Sequence, residues 1–312
     1  MCVRLSTRLL VSLAVGTMLL PPAAGCGTKK KPALTVEQRL RKAEEEKTPD
    51  RQAAALLRIA RSQFAKNDEA GAKQTAAKAF EKLRGEGDSS LFAPRLVELA
   101  GFLSEIGERK PARDALAAAS GMIDAITDPV RKATLLAEGG AICKANTDSA
   151  AAREWLQKAA EAAGTAEERF RADALAAVAL GYTRSGMADA ASDVVVRLLD
   201  AAKTLDEPRP KAEALAAAAG VLAQTGKNRD AAALLEDAES AAKGIERPAE
   251  NRAYALLAVA LAASGNGDHK KALALLKDAD KAADKVAEPT SQKKIVDKVR
   301  ATMAEVEKKL KK

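Results

Sequence analysis

The chain has 312 residues, 47% of them hydrophobic but only 3% aromatic, and a formal net charge of +8 at pH 7. Alanine carries most of the apolar content, and alanine builds helices well but fills the interior of a sheet poorly, so an all-α protein of closely approaching helices is expected. The charge does not describe a nucleic-acid groove: Arg4, Arg8, Lys29, Lys30, Lys31, Lys308, Lys309, Lys311 and Lys312 sit near the two termini, leaving a near-neutral body with both signs interspersed.

From the N-terminus, Leu9 to Leu20 is an apolar run of about a dozen residues. That is shorter than the roughly 20 needed to span a bilayer and fits the apolar core of a secretory signal. Pro21 and Pro22 end it, and Ala23-Ala24-Gly25-Cys26 places small side chains and then a thiol at a cleavage point. The arrangement resembles the lipobox of bacterial lipoproteins, with Ala23 where that family usually has Leu. The resemblance implies that residues 1–25 are a signal peptide cut between Gly25 and Cys26. It also implies that Cys26 carries diacylglycerol on its sulfur and a further acyl chain on its amine. Several acyl chains hold a protein to a membrane where one is marginal. The alternative is an incidental cysteine beside an ordinary secretory cleavage site. Gly27 stands where Asp would resemble the inner-membrane retention signal of enterobacteria, so the expected location is the cell envelope, at the outer membrane and facing the periplasm. Residues 26–33 form a lipidated cysteine and polar tether, whose lysines either rest on anionic headgroups or solvate a linker.

Residues 34–50 read as a short helix, with Thr35 and Gln38 as a capping box, followed by a break at Thr48-Pro49-Asp50. Beyond it the chain repeats. Turn residues recur at Asn67, Gly107, Thr147, Gly186, Gly226 and Gly267, about 40 residues apart. Eleven residues before each anchor stands a leucine (Leu56, Leu96, Leu136, Leu175, Leu215, Leu256), and seven before it a small residue (Ala60, Ala100, Gly140, Ala179, Ala219, Ala260). Five after it stands alanine every time (Ala72, Ala112, Ala152, Ala191, Ala231, Ala272), followed by apolar residues nine and twelve after the anchor. Spacings of four and three put each set on one face of a helix, giving a helix A, a short turn and a helix B per unit. Pro129, Pro208, Pro248 and Pro289 recur 22 residues after their anchors and end one unit while starting the next. Units one and three lack that proline, and Gly85, Gly87 and Gly164 are expected to make their exits.

This pattern over residues 51–289 resembles the tetratricopeptide repeat (TPR), although the familiar unit has about 34 residues and the aromatic consensus positions are here mostly Leu or Ala. HEAT-like repeats share the length but fit the turn less well. The resemblance implies a right-handed α-α superhelix, a TPR-like solenoid of about six repeats. Residues 290–312 form a C-terminal capping helix with Ile295, Val299, Met303, Val306 and Leu310 as its apolar stripe. It further implies that the A helices line a partner groove, whose candidate contacts are Arg61, Phe64, Lys144, Arg184, Gln224 and Tyr254. Val97, Glu105, Asp173, Glu213 and Leu257 map to the same groove.

Little in the chain reads as catalytic, and no enzyme, metal site or cofactor is expected. His269 is the lone histidine and sits in a turn. Cys2 leaves with the signal and Cys26 is consumed by lipid, so Cys143 has no disulfide partner and reads as a small buried hydrophobe. Trp155, the sole tryptophan, reads as a packing residue, with a partner hot spot as the alternative. The function expected is therefore that of a membrane-anchored scaffold or adaptor for envelope proteins. The alternative is a receptor for peptidoglycan or a peptide, against which the scarcity of aromatic side chains argues.

Overall fold

In the computed structural model the chain is described over residues 34–85 and 87–311, and these form fourteen α-helices and no strand. Helix α1 (Val36–Glu44) begins at the capping box, Thr35 Oγ1 accepting from Gln38 N and Thr35 N donating to Gln38 Oε1. Six hairpins follow: α2 (Pro49–Phe64) with α3 (Glu69–Leu83), α4 (Ser89–Glu105) with α5 (Arg109–Asp124), and α6 (Pro129–Ala145) with α7 (Ser149–Gly164). The last three are α8 (Glu168–Arg184) with α9 (Ala188–Lys203), α10 (Pro208–Gln224) with α11 (Asn228–Lys243), and α12 (Ala249–Gly265) with α13 (His269–Ala283). Helix α14 (Pro289–Leu310) packs on α13 and α12 and closes the stack. The result is an α-solenoid of helical hairpins.

The anchors mark one backbone device used six times. Each A helix ends with the anchor N–H donating to the carbonyl three residues back and the next N–H to the carbonyl five residues back. Asn67 N→Phe64 O and Asp68 N→Gln63 O in the first hairpin are matched by Gly267 N→Ser264 O and Asp268 N→Ala263 O in the last. This is the Schellman ending, and it needs a left-handed residue between its two bonds. All six anchors supply it: Gly107, Gly186, Gly226 and Gly267 at φ +70 to +84, Asn67 at +63 and Thr147 at +69. Glycine meets that geometry without a Cβ penalty and asparagine tolerates it, whereas a β-branched threonine is strained there. Thr147 is exposed, so Thr147→Gly is expected to raise the unfolding free energy by about 0.5–1 kcal/mol, strain relief of ~1–2 kcal/mol exceeding the entropy cost of glycine. A urea midpoint that falls instead would refute this.

The repeat positions build the core. The alanines five after each anchor are 0% exposed, and the leucines eleven before are buried in five hairpins of six. A further position with alanine throughout, fourteen before the anchor (Ala53, Ala93, Ala133, Ala172, Ala212, Ala253), is buried as well and lets the A helices approach their neighbours. Leu215 departs from the pattern. It is only half-buried, because it borders a cleft between α9 and α11 that Leu199 and Leu234 line without filling.

The exits also differ in part from expectation. Pro129, Pro208 and Pro289 occupy the first turn of their helices, and Pro248 caps α12. Where proline is missing, the next A helix starts at an acid: Asp88 accepts from Ser90 N, and Glu167 precedes α8. Gly164 is simply the last residue of α7, whereas Gly87 is needed because a Cβ there would lie 2.4 Å from the Phe92 ring. On α14 the stripe is buried at Ile295, Val299 and Val306, half-buried at Met303, and exposed at Leu310, which lies in the last turn.

Glu288 caps α14, its carboxylate accepting from Ser291 N and Thr290 N, and these bonds hold its pKa down at about 2 against the ordinary 4.5. A depressed carboxylate stabilises the fold above its unfolded value and loses that contribution as pH falls through its folded one. Protection of the α14 amides against hydrogen exchange is therefore expected to weaken from about pH 4.5 down towards pH 2. In Glu288→Gln that dependence should vanish. An unchanged profile in the variant would show that another group controls it.

Candidate functional site

Successive A helices touch one another all along the stack, while each B helix contacts its own A helix and the next one rather than the neighbouring B helix. The A helices therefore form a continuous layer, and their outward side chains share one face. The residues on it come from different turns of the A helices and from helices about 40 residues apart in the chain.

Two polar clusters organise that face. At the N-terminal end, Arg61 Nη1 donates to Glu98 Oε1 at 3.0 Å and Arg95 Nη1 to Glu98 Oε2 at 2.8 Å, tying α2 to α4. Towards the C-terminal end, Arg209 on α10 donates through Nε to Glu213 Oε1 at 2.9 Å and through Nη1 to Asn251 Oδ1 at 3.1 Å. Its guanidinium lies 4.7 Å from the centre of the Tyr254 ring on α12, a cation–π contact. Between the clusters stand Glu138 and Asp173. Neighbouring protein atoms push both carboxylates above their ordinary values; Arg184 opposes the shift at Glu138, and Glu213 adds to it at Asp173.

The candidate contacts therefore fall into different settings. Arg61 and Tyr254 belong to the two clusters, and Arg184 and Gln224 are exposed at the ends of α8 and α10. Phe64 is half-buried and meets Phe102 edge-on, with centroids 6.2 Å apart and planes at 86°. Lys144 donates to Ser149 Oγ at 3.0 Å across the α6–α7 turn. Glu105 is exposed. Val97 and Leu257 are corrected: at 1% and 2% exposure they lie in the core, because ten residues before the anchor is a position turned inwards. Sequence reading missed Arg95, Glu98, Glu138, Arg209 and Asn251. A signal existed for two of them: nine residues before the anchor the chain runs Arg58, Glu98, Glu138, then Ala177, Ala217, Ala258. Gly25 and Cys26 lie outside the described residues.

The remaining chemistry-bearing side chains serve packing. Cys143 is buried, and burial, with Asp148 adding to it, pushes its thiol up to about 11, the protonated and unreactive state. Trp155 lies against α6, where a Cβ on Gly139 would meet its ring at 2.2 Å. His269 Nδ1 is 3.4 Å from Ser264 Oγ in the last hairpin turn. Among the described residues there is no group of three or more His, Cys, Asp or Glu placed to hold a metal ion, and no helix long and apolar enough to cross a membrane.

No protein-family model matches the chain, and no curated protein does. Among solved structures it is similar to Ton1535 from Thermococcus onnurineus NA1, at 14% identity and a TM-score of 0.43 over 84% of this chain and 94% of that one. It is also similar to the nearly identical TPR-like repeats of a putative kinesin light chain from Podosopora anserina, at 21% identity and a TM-score of 0.39 over 64% of this chain and 97% of that one. A tetratricopeptide repeat protein from Parabacteroides merdae ATCC 43184 follows at 13% identity and 0.31 over 80% and 98%. These likenesses are of helical architecture and say nothing of what this chain binds.

Proposed function

We propose that the protein is an envelope lipoprotein, anchored through acyl chains on Cys26, whose helical-repeat body is an adaptor or scaffold for protein partners at the outer membrane. The observation that carries the adaptor reading is the unbroken layer of A helices. Six A helices, each touching the next, present one face whose side chains (Glu105, Glu138, Asp173, Arg184 and Gln224 among them) are not used to hold the stack together. A surface of that extent, mixed in charge and set on rigid elements, suits recognition of an extended partner better than enclosure of a small substrate. No cluster of exposed aromatic side chains lies on it among the described residues: Phe64 meets Phe102, Trp155 lies on Gly139, and Tyr254 is covered by Arg209. That weighs against a sugar-stacking receptor. The anchor is supported by the signal and lipobox pattern of residues 1–26.

The two parts have separate tests. Growth with labelled palmitate is expected to mark the wild-type protein and place it in the membrane fraction, while Cys26→Ala is unlabelled and released; labelled Cys26→Ala protein would refute the anchor. In-cell crosslinking and mass spectrometry of the anchored protein should then yield a small stoichiometric set of envelope proteins. A set that survives substitution of the exposed residues Glu138, Asp173 and Arg184 together would show that the A-helix face is not the docking surface.

A further inference from the structure

The N-terminal end of the A-helix face holds a cavity of about 400 Å³, lined by Glu46, Arg51, Ala54, Arg58, Arg95 and Glu98. We propose that it is a binding site for an oxyanion group, a phosphate or a carboxylate. Arg51 and Arg58 are seven residues apart, two turns on one face of α2, and Arg95 enters from α4. Ala54 lies between the two α2 arginines and leaves the space open.

Glu98 offsets only part of this charge. Both its oxygens are engaged, Oε1 by Arg61 and Oε2 by Arg95, so it fixes the Arg95 guanidinium in place. Among the described residues neither Arg51 nor Arg58 has a carboxylate within 4 Å. Three guanidiniums and two carboxylates around one void leave it net positive, and Arg61 just outside adds to that. The α1–α2 connection that carries Glu46 is held as well, Gln52 Nε2 donating to Glu44 O at 3.1 Å and Glu46 O at 2.9 Å. A guanidinium offers a planar fork that matches two oxygens of a phosphate or carboxylate, and like charges gathered on a shared void are relieved when an anion enters. The site does not depend on the adaptor reading or on the lipid anchor.

The test is an NMR titration of the arginine Nε–Hε signals of the full-length chain with inorganic phosphate and, separately, with acetate, at ionic strength held constant with chloride. Arg51, Arg58 and Arg95 should shift together along one saturable curve. Arg58→Gln should weaken binding about tenfold or more, as expected for loss of a charge-assisted hydrogen bond. Lys294→Gln, on the basic but distant α14, should leave it unchanged. Saturation by phosphate alone identifies a phosphate-bearing ligand, by acetate alone a carboxylate, and by both a general oxyanion site. Shifts that never saturate, or the same curve in Arg58→Gln as in the wild type, would overturn the proposal.

Discussion

Leu156→Ala is expected to lower the unfolding free energy by about 3–5 kcal/mol, the upper part of the range for a buried leucine. Leu156 on α7 is 0% exposed, and its surroundings are unusual for the amount of backbone they contain. A Cβ added to Gly140 would lie 2.7 Å from its Cγ, and one added to Gly181 would lie 2.8 Å from its Cδ2. The leucine therefore rests directly on the main chains of α6 and α8. Side chains can lean into a cavity, but two helix backbones held by their own hairpins cannot, so the void left by truncation stays open. In a stack where each unit leans on its neighbours, the loss is felt first in the hairpins that share the residue. Trp155, next in the chain and packed against Gly139, reports on that region. On urea unfolding, its fluorescence is expected to change at lower denaturant than the far-ultraviolet circular dichroism, which averages over all fourteen helices. A loss under about 1.5 kcal/mol, below the range for such truncations, would show that the site does collapse.

The features legible in the sequence are those where geometry leaves few residue types. The left-handed anchor of each Schellman turn admits glycine or asparagine readily, so Asn67, Gly107, Gly186, Gly226 and Gly267 stand out, and Thr147 could be placed only by its spacing. The crossing of helices A and B admits little beyond alanine, which made Ala72, Ala112, Ala152, Ala191, Ala231 and Ala272 visible. The candidate site was less legible because exposure on an A helix depends on the neighbour's side chains. Arg209 and Asn251 are 42 residues apart, and neither belongs to a motif. Val97 and Leu257 were misplaced by a single helical position, about 100° of rotation, which separates a groove lining from a core. Leu215 shows the same limit from the other side: its own position is regular, and its exposure arises from Leu199 and Leu234, which stop short of covering it.

Gly140→Ala is expected to cost about 1–3 kcal/mol in the wild-type background and to become neutral or stabilising when combined with Leu156→Ala. Taken alone, alanine is the better helix former by ~1 kcal/mol, so an interior glycine of α6 should welcome it. The packing opposes this: the new methyl would sit 2.7 Å from Leu156 Cγ and 3.1 Å from its Cδ2, closer than carbon atoms approach. Leu156 is too enclosed to swing away, so the clash would push α6 from α7 at the crossing where the hairpin is tightest, an overpacking cost. With Leu156 reduced to alanine both short contacts disappear, and only the Ala152 carbonyl oxygen remains near, at 3.2 Å. The helical preference of alanine is then free to act, and the methyl fills part of the cavity. The double-mutant cycle should give a favourable coupling of about 1–3 kcal/mol, in the range for residues in direct contact. Additive losses would mean that Gly140 is required by the backbone of α6 itself, and the fit between glycine and leucine would not be what fixes the distance between these two helices.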